Sequence, residues 1–151
     1  MSKLDSRLRR AISVVDQNRV GLLCTCDDHA YPHARWMTAV SHDNLHTLQT
    51  LTARHTRKLE QLRHNDRVSW VFTSEAFGDI VQLIGRVSID EEPIATQAAW
   101  DQLAQAVRQY VVGPTSDSTD LEMVVLNTKV ERIELICPEL GIRTPHQIAM
   151  I

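Results

Sequence analysis

Arg57 and Lys58 open the run "TRKLEQLRHND", in which Thr56 reads as an N-cap, Leu59 and Leu62 as the apolar stripe of a short helix, and Asn65 as its stop. A helix start presents unpaired N–H groups and partial positive charge, so each cation in the first turn costs roughly 0.3–1 kcal/mol. A bound anion reverses that sign, because the Thr56 hydroxyl, the free N–H groups and both side chains would all donate to it. Arg35 adds a third cation from "YPHARWMTAV", a strand-like stretch with Trp36 beside it. If the second and third strands are neighbours, Arg35 faces Thr50 and Thr52, which lead directly into the helix at Thr56. Three cations and two or three hydroxyls would suit a dianionic phosphate better than a carboxylate. The plainer reading, that Arg57 and Lys58 are solvated surface charges, stays open at this point.

Other residue types suggest less. Of seven histidines, His29 and His33 are four apart, as are His42 and His46, but an i, i+4 pair makes one ligand face only on a helix. Both pairs fall in turns and strands, so no metal site is expected. Cys24 and Cys26 share one face of a strand, at a separation unlike that of redox or zinc motifs, and are read as packing. Trp36, Trp70 and Trp100 could form a stacking set, although each alone fits core or interface packing. There is no GxSxG, GxGxxG or Walker sequence.

The elements that must position these side chains are marked by changes of period. Residues 2–18 place Leu4, Leu8, Ile12 and Val15 on one helical face, and Ser2 with Asp5 fits a capping box. "RVGLLCTC", "PHARWMTAV" and "LHTLQTLT" then read as three strands, and connections of about four residues imply an antiparallel meander. After the helix at Thr56 come "RVSWVFTS" and "DIVQLIGRVSI", a hairpin joined by "EAFG", with a bulge expected at Gly85. Pro93 starts a helix reaching about Tyr110 with Ala99, Trp100, Leu103 and Val107 on its apolar face. Residues 113–120 read as a loop, and "EMVVLNTKVERIELI" as a sixth strand; the tail from Pro138 shows no period. The order is α+β, and six mostly antiparallel strands in so small a chain tend to close into a barrel.

At 151 residues, residues 1–151 are expected to form a single domain. A formal charge of −3 disfavours broad nucleic-acid binding, which needs a basic surface. No membrane span and no signal peptide are read, so a cytoplasmic location and reduced thiols are expected.

Taken in order, "RVGLLCT", "YPHARWMT", "LHTLQTLTARHTRKLEQLRHND", "FGDIVQLIGRVSI", the AAW-containing helix, "YVVGPTSD" and "MVVLNTKVERIELI" resemble the FMN-binding split-barrel family related to pyridoxamine phosphate oxidase, and within it the general-stress-protein branch. The resemblance runs from about Leu8 to Ile136. It implies a Greek-key split β-barrel with flanking helices, and a homodimer with FMN at the subunit interface. By position, Arg35 and Lys58 match the cations that hold the FMN phosphate, with Thr56 and Arg57 beside them. Trp36, Met37 and Thr38 match the strand along the flavin ring, Gln49 and Thr50 match a strand-three pair lining the cofactor, and Gln82 sits on a strand where relatives carry a flavin-contacting polar residue.

Two departures count against vitamin B6 oxidation: Val40 stands where the oxidase has a lysine, and "GIRTPHQIAMI" does not reproduce its C-terminal Arg/His pair. The resemblance therefore implies a flavoprotein oxidoreductase of unread substrate, with a nicotinamide cofactor as a possible hydride donor. A flavin-holding or sensing protein without turnover is a second reading. A barrel using haem or deazaflavin, with His33 or His29 as axial ligand to haem, is a third.

Overall fold

The computed structural model describes residues 5–102 and 122–151. Helix α1 (Ser6–Asn18) is capped by Asp5, whose carboxylate accepts the Arg7 N–H at 3.0 Å. The expected capping residue Ser2 lies outside the described residues, and Asp5 itself takes the N-cap role, worth about 1 kcal/mol. The helix ends at Arg19 in the left-handed region (φ 56°), whose N–H returns to the Val15 carbonyl. Its apolar face buries Ala11, Val14 and Val15, with Leu8 and Ile12 partly buried alongside. Arg10, on the same helix, reaches Asp79 at 2.7 Å and Glu139 at 2.6 Å and so ties the helix to the sheet.

The sheet has eight antiparallel strands among the described residues: β1 (Val20–Cys26), β2 (Pro32–Thr38), β3 (Val40–His42), β4 (Thr47–Ala53), β5 (Arg67–Thr73), β6 (Ile80–Asp90), β7 (Met123–Cys137) and β8 (Ile142–Met150). Two additions explain the difference from the expected six. "PHARWMTAV" is broken at Ala39 into β2 and β3, and the tail without a period is β8, an exposed strand paired with β7. Helix α2 (Arg57–His64) links β4 to β5, and α3 (Pro93–Gln102) leads away from β6. Leu103, Val107 and the expected loop at 113–120 lie outside the described residues.

The expected three-strand meander is not what forms. The order is β2-β1-β5-β6-β7-β4-β3, so β2 pairs with β1 while β4 lies towards the other end of the sheet, between β3 and β7. Ala39 is the reason: it is buried, its N–H bonds the Arg19 carbonyl at 2.8 Å, and the chain passes there from one end of the sheet to the other. The sheet curls into a half-barrel, and the Thr50 hydroxyl donates to the Thr38 carbonyl across the gap between its ends.

One core fills the concave side. Trp70 and Phe72 stack there at 5.7 Å, and the Trp70 indole N–H is satisfied by the Thr128 hydroxyl at 3.0 Å. A second, smaller cluster of Leu51, Ala99, Met123 and Val125 lies under α3, which is why β7 is apolar on both faces over its first four residues. Of the three tryptophans, Trp70 is core, Trp100 packs partly against the second cluster, and Trp36 is 65% exposed.

The bulge expected at Gly85 is present. Ile84 lies opposite Arg132 and Gly85 opposite Val130, so Glu131 is the extra residue in β7. A Cβ on Gly85 would lie 2.1 Å from the Lys129 carbonyl oxygen, a contact that only a backbone shift could relieve. Gly85→Ala is therefore expected to destabilise the fold by about 2–3 kcal/mol in denaturant unfolding. Gly78→Ala, whose nearest new contact is 3.3 Å to the Ser74 side chain, serves as the control. Equal midpoints for the two variants would show that the bulge is not tight.

Candidate functional site

The β1–β2 hairpin sets Arg35 opposite Leu23, with its side chain on the concave face. One guanidinium nitrogen, Nη1, donates to the Leu23 carbonyl at 3.2 Å and to the Thr25 hydroxyl at 2.7 Å. The other, Nη2, donates to Gln61 Oε1 at 3.3 Å. Thr25 in turn donates to Gln61 Oε1 at 2.6 Å. These acceptors are all neutral. Arg35 thus sits half-buried between β1 and α2 with no ion pair among the described residues.

The expectation that Arg35 faces Thr50 and Thr52 fails, because β2 and β4 are not paired neighbours. Thr50 bonds the Thr38 carbonyl instead, and Thr52, buried at the end of β4, accepts a 2.7 Å bond from Lys58 Nζ. The convergence of cations survives by another route, since α2 packs over β1 and brings its first turn towards Arg35.

Electrostatics record the crowding. Burial first, and Arg57 after it, lowers the Arg35 pKa from the usual guanidinium value, with Cys24 opposing; burial first, and then Arg35, lowers that of Lys58. Of the other basic residues nearby, Arg54 and Arg63 both pair with Glu91, at 3.1 and 3.2 Å. Arg35, Arg57 and Lys58 have no carboxylate partner among the described residues. Between them, Thr56 caps α2 in extended conformation (φ −118°) without a side-chain capping bond, and its buried hydroxyl has no hydrogen-bond partner among the described residues. This hydroxyl, the helix N–H groups and the cations together form a donor set suited to an anion.

Of that donor set, Thr56 and Lys58 line a cleft of about 600 Å³, while Arg35 and Arg57 are not part of its wall. Lys58, Thr56 and Thr52 form its polar end, and Trp36, Met37, Thr38, Val20, Leu51 and Ala53 the rest of its wall. The cleft therefore has one end with polar and cationic side chains and a largely apolar wall. Of the residues singled out by sequence, Trp36, Met37, Thr38, Thr56 and Lys58 line this cleft. Arg57 lines a smaller, separate depression with Asp27, Asp28, Glu60, Gln61 and His64. Gln49 bonds Asn127 at 3.2 Å and, with Thr50, borders a small depression beside Ala99 that shares Leu51 with the cleft, and neither Gln49 nor Thr50 lines the cleft itself. Gln82 lies on β6 opposite Val71 and Glu134 and is not part of the cleft wall.

His33 is held by Asp27 at 2.8 Å, a contact that, ahead of the Tyr31 N–H, holds the Asp27 carboxyl below the usual carboxylate range. His33 does not line the cleft. Cys24, Cys26 and Cys137 are free thiols; burial is the main cause raising the pKa values of Cys24 and Cys137. Sequence reasoning missed Thr25 and Gln61. The available signal was Gln61 itself, a polar residue between Leu59 and Leu62 on a helix that buries that side.

The geometry gives a charge-specific expectation. With its pKa lowered in the folded state, Lys58 binds its proton less tightly there than in the unfolded chain, so its charge opposes folding when no anion is present. Lys58→Gln keeps a donor for Thr52 and removes the charge. The ligand-free variant is expected to be more stable by a few tenths to about 1 kcal/mol in phosphate-free buffer. Inorganic phosphate should raise the melting temperature of the wild type more than that of the variant. A variant less stable than wild type, with the same response to phosphate, would remove the anion site from consideration.

Comparison with known proteins adds an independent line. The family model described as pyridoxamine 5'-phosphate oxidase matches residues 8–137. No curated protein sequence matches the chain. Among solved structures, a candidate pyridoxamine 5'-phosphate oxidase of Listeria innocua is 25% identical, covers 85% of this chain and 97% of its own, and superposes with a TM-score of 0.67. General stress protein 26 of Bacillus anthracis is 18% identical over 95% of this chain and 99% of its own, with a TM-score of 0.67. A pyridoxamine 5'-phosphate oxidase-related, FMN-binding protein of Nostoc punctiforme is 11% identical over 99% and 98%, with a TM-score of 0.71; at that identity the likeness is one of fold.

Proposed function

The chain belongs to the pyridoxamine 5'-phosphate oxidase family, and from that membership we propose that it is a flavoprotein oxidoreductase that holds FMN in the cleft beside α2. The observation that carries the reading is the donor set at the start of α2, where, among the described residues, Arg35, Arg57 and Lys58 have no carboxylate partner and the Thr56 hydroxyl has no hydrogen-bond partner. A phosphate monoester supplies the missing charge and acceptors together. The FMN-binding Nostoc punctiforme neighbour adds support at the level of the fold.

In this reading Lys58 and Arg35 neutralise the phosphate, while Thr56 and the α2 N–H groups, with Arg57 at the rim, donate to its oxygens. Trp36, Met37 and Thr38 give the ring a wall on one side, and Leu51, Val20 and Ala53 keep water from it. Thr50 acts through its bond to the Thr38 carbonyl, which fixes the end of β2. Gln49 and Gln82 are carried over from the family resemblance alone. Bound flavin would supply two-electron redox chemistry, with the protein contributing placement and electrostatics.

A second copy of the chain completes the proposed site. Trp36 is 65% exposed beside an open cleft, and β2 is an end strand of the sheet, so a partner would cover both. A nicotinamide donor is part of the proposal as the hydride source. Vitamin B6 oxidation is not: Val40 opens β3 beside Ala99, where the oxidase would carry a lysine, and Arg143 and His146 lie exposed on β8.

Purified protein is expected to show flavin absorption or, once stripped, to bind FMN at micromolar concentration. Arg35→Ala or Lys58→Ala should weaken FMN by about tenfold or more while changing riboflavin little. Colourless protein that does not take up FMN would sink the reading, and equal losses for both ligands would sink the phosphate assignment. Steady oxidation of NADH or NADPH with an added acceptor separates an oxidoreductase from a protein that only holds flavin.

A further inference from the structure

We infer that Gln61, together with Thr25, is a positioning residue of the anion site: it fixes the Arg35 guanidinium in place through neutral acceptors, so that its full charge remains for a phosphate monoester. The inference rests on the phosphate reading of the cleft and assigns residues that no other observation assigns. Gln61 is 8% exposed and Thr25 1%. Both stand outside the polar end of the cleft formed by Lys58, Thr56 and Thr52.

The bonding is specific. Gln61 Oε1 accepts from Thr25 Oγ1 at 2.6 Å and from Arg35 Nη2 at 3.3 Å, while Thr25 Oγ1 accepts from Arg35 Nη1 at 2.7 Å. The hydroxyl therefore both accepts and donates, and the two side chains with the guanidinium close a small ring of hydrogen bonds. An amide oxygen orients an arginine without cancelling its charge, whereas a carboxylate at the same place would orient it and cancel the charge as well. Structural arginines of this chain use the second solution: Arg10 binds Asp79 and Glu139, and Arg54 binds Glu91 and Glu122. Lys58 follows Arg35, since its partner, the Thr52 hydroxyl, is also neutral. Neutral partners at Lys58 in the cleft wall and at half-buried Arg35 between β1 and α2, and carboxylates at the structural arginines, are what a site for a dianion requires.

Gln61→Glu tests this because it changes one atom type and almost no volume. FMN and riboflavin are titrated into the stripped full-length protein, and the ligand-free melting temperature is measured in parallel. FMN affinity is expected to fall by on the order of tenfold or more, since the new carboxylate takes the Arg35 charge, with riboflavin affinity unchanged and the ligand-free melting temperature equal or higher. Parallel loss of both ligands with a lowered melting temperature would make Gln61 merely structural, and unchanged FMN affinity would also overturn the inference. Thr25→Val, which keeps the shape and deletes the hydroxyl, is the second arm should the first variant fail to fold; it should likewise reduce FMN more than riboflavin, and equal reductions would count against the inference. Wild-type protein that binds neither ligand would instead refute the flavin reading itself.

Discussion

Positive charge held without a negative partner among the described residues is the constraint on which the site depends. Arg35 and Lys58 are half-buried, and each is disfavoured by burial and by the other cations. Such an arrangement is costly in the ligand-free protein, and only groups that are hydrogen-bonded and packed from several sides can maintain it. Thr25, Gln61 and Thr52 supply the hydrogen bonds, and Leu59 and Leu62, buried beneath α2, supply the packing that keeps the helix start over β1.

The rest of the fold serves that placement. β7 is the longest strand and pairs with β6 along one edge and with β4 and β8 in succession along the other. The half-barrel thereby ends at β2 on one side and β3 on the other, and α2 leaves β4 just where it can reach across to the β1–β2 hairpin. Helix α1, pinned by Arg10, buries Val14 and Val15 in the concave core. The cleft is thus built at the seam between the two ends of one sheet, with a polar end at α2 and an apolar wall from β2, β4 and the start of β1.

Local conflicts in the sequence identified much of this. Two cations at a helix start and an arginine in a strand are visible without any structure, and so is Gly85 in a strand, beside which Glu131 bulges from β7. Pairing between distant strands was not legible. "YPHARWMTAV" reads as one strand because Ala39 carries no turn chemistry, and the break there follows from its burial and its bond to Arg19, which are tertiary facts. The mistaken neighbourhood of Arg35 with Thr50 and Thr52 came from that one misread residue. β8 was invisible for a different reason: five consecutive residues, 143–147, are exposed, so no alternation marks it. Gln61 gave a signal, but its use depended on knowing that Thr25 faces inward from another strand.

The junction at Ala39 has an evolutionary side. Because one residue joins β2 to β3, the cleft-side wall and the opposite end of the sheet share a single covalent count, and adding or deleting a residue there would reverse the inward and outward faces of everything up to the turn at Asp43. The hairpin turn at 27–31, by contrast, connects two strands that already pair along their whole length. Length variation between descendants of this chain should therefore accumulate at that turn and be purged at residue 39, while change around the cleft proceeds by substitution alone.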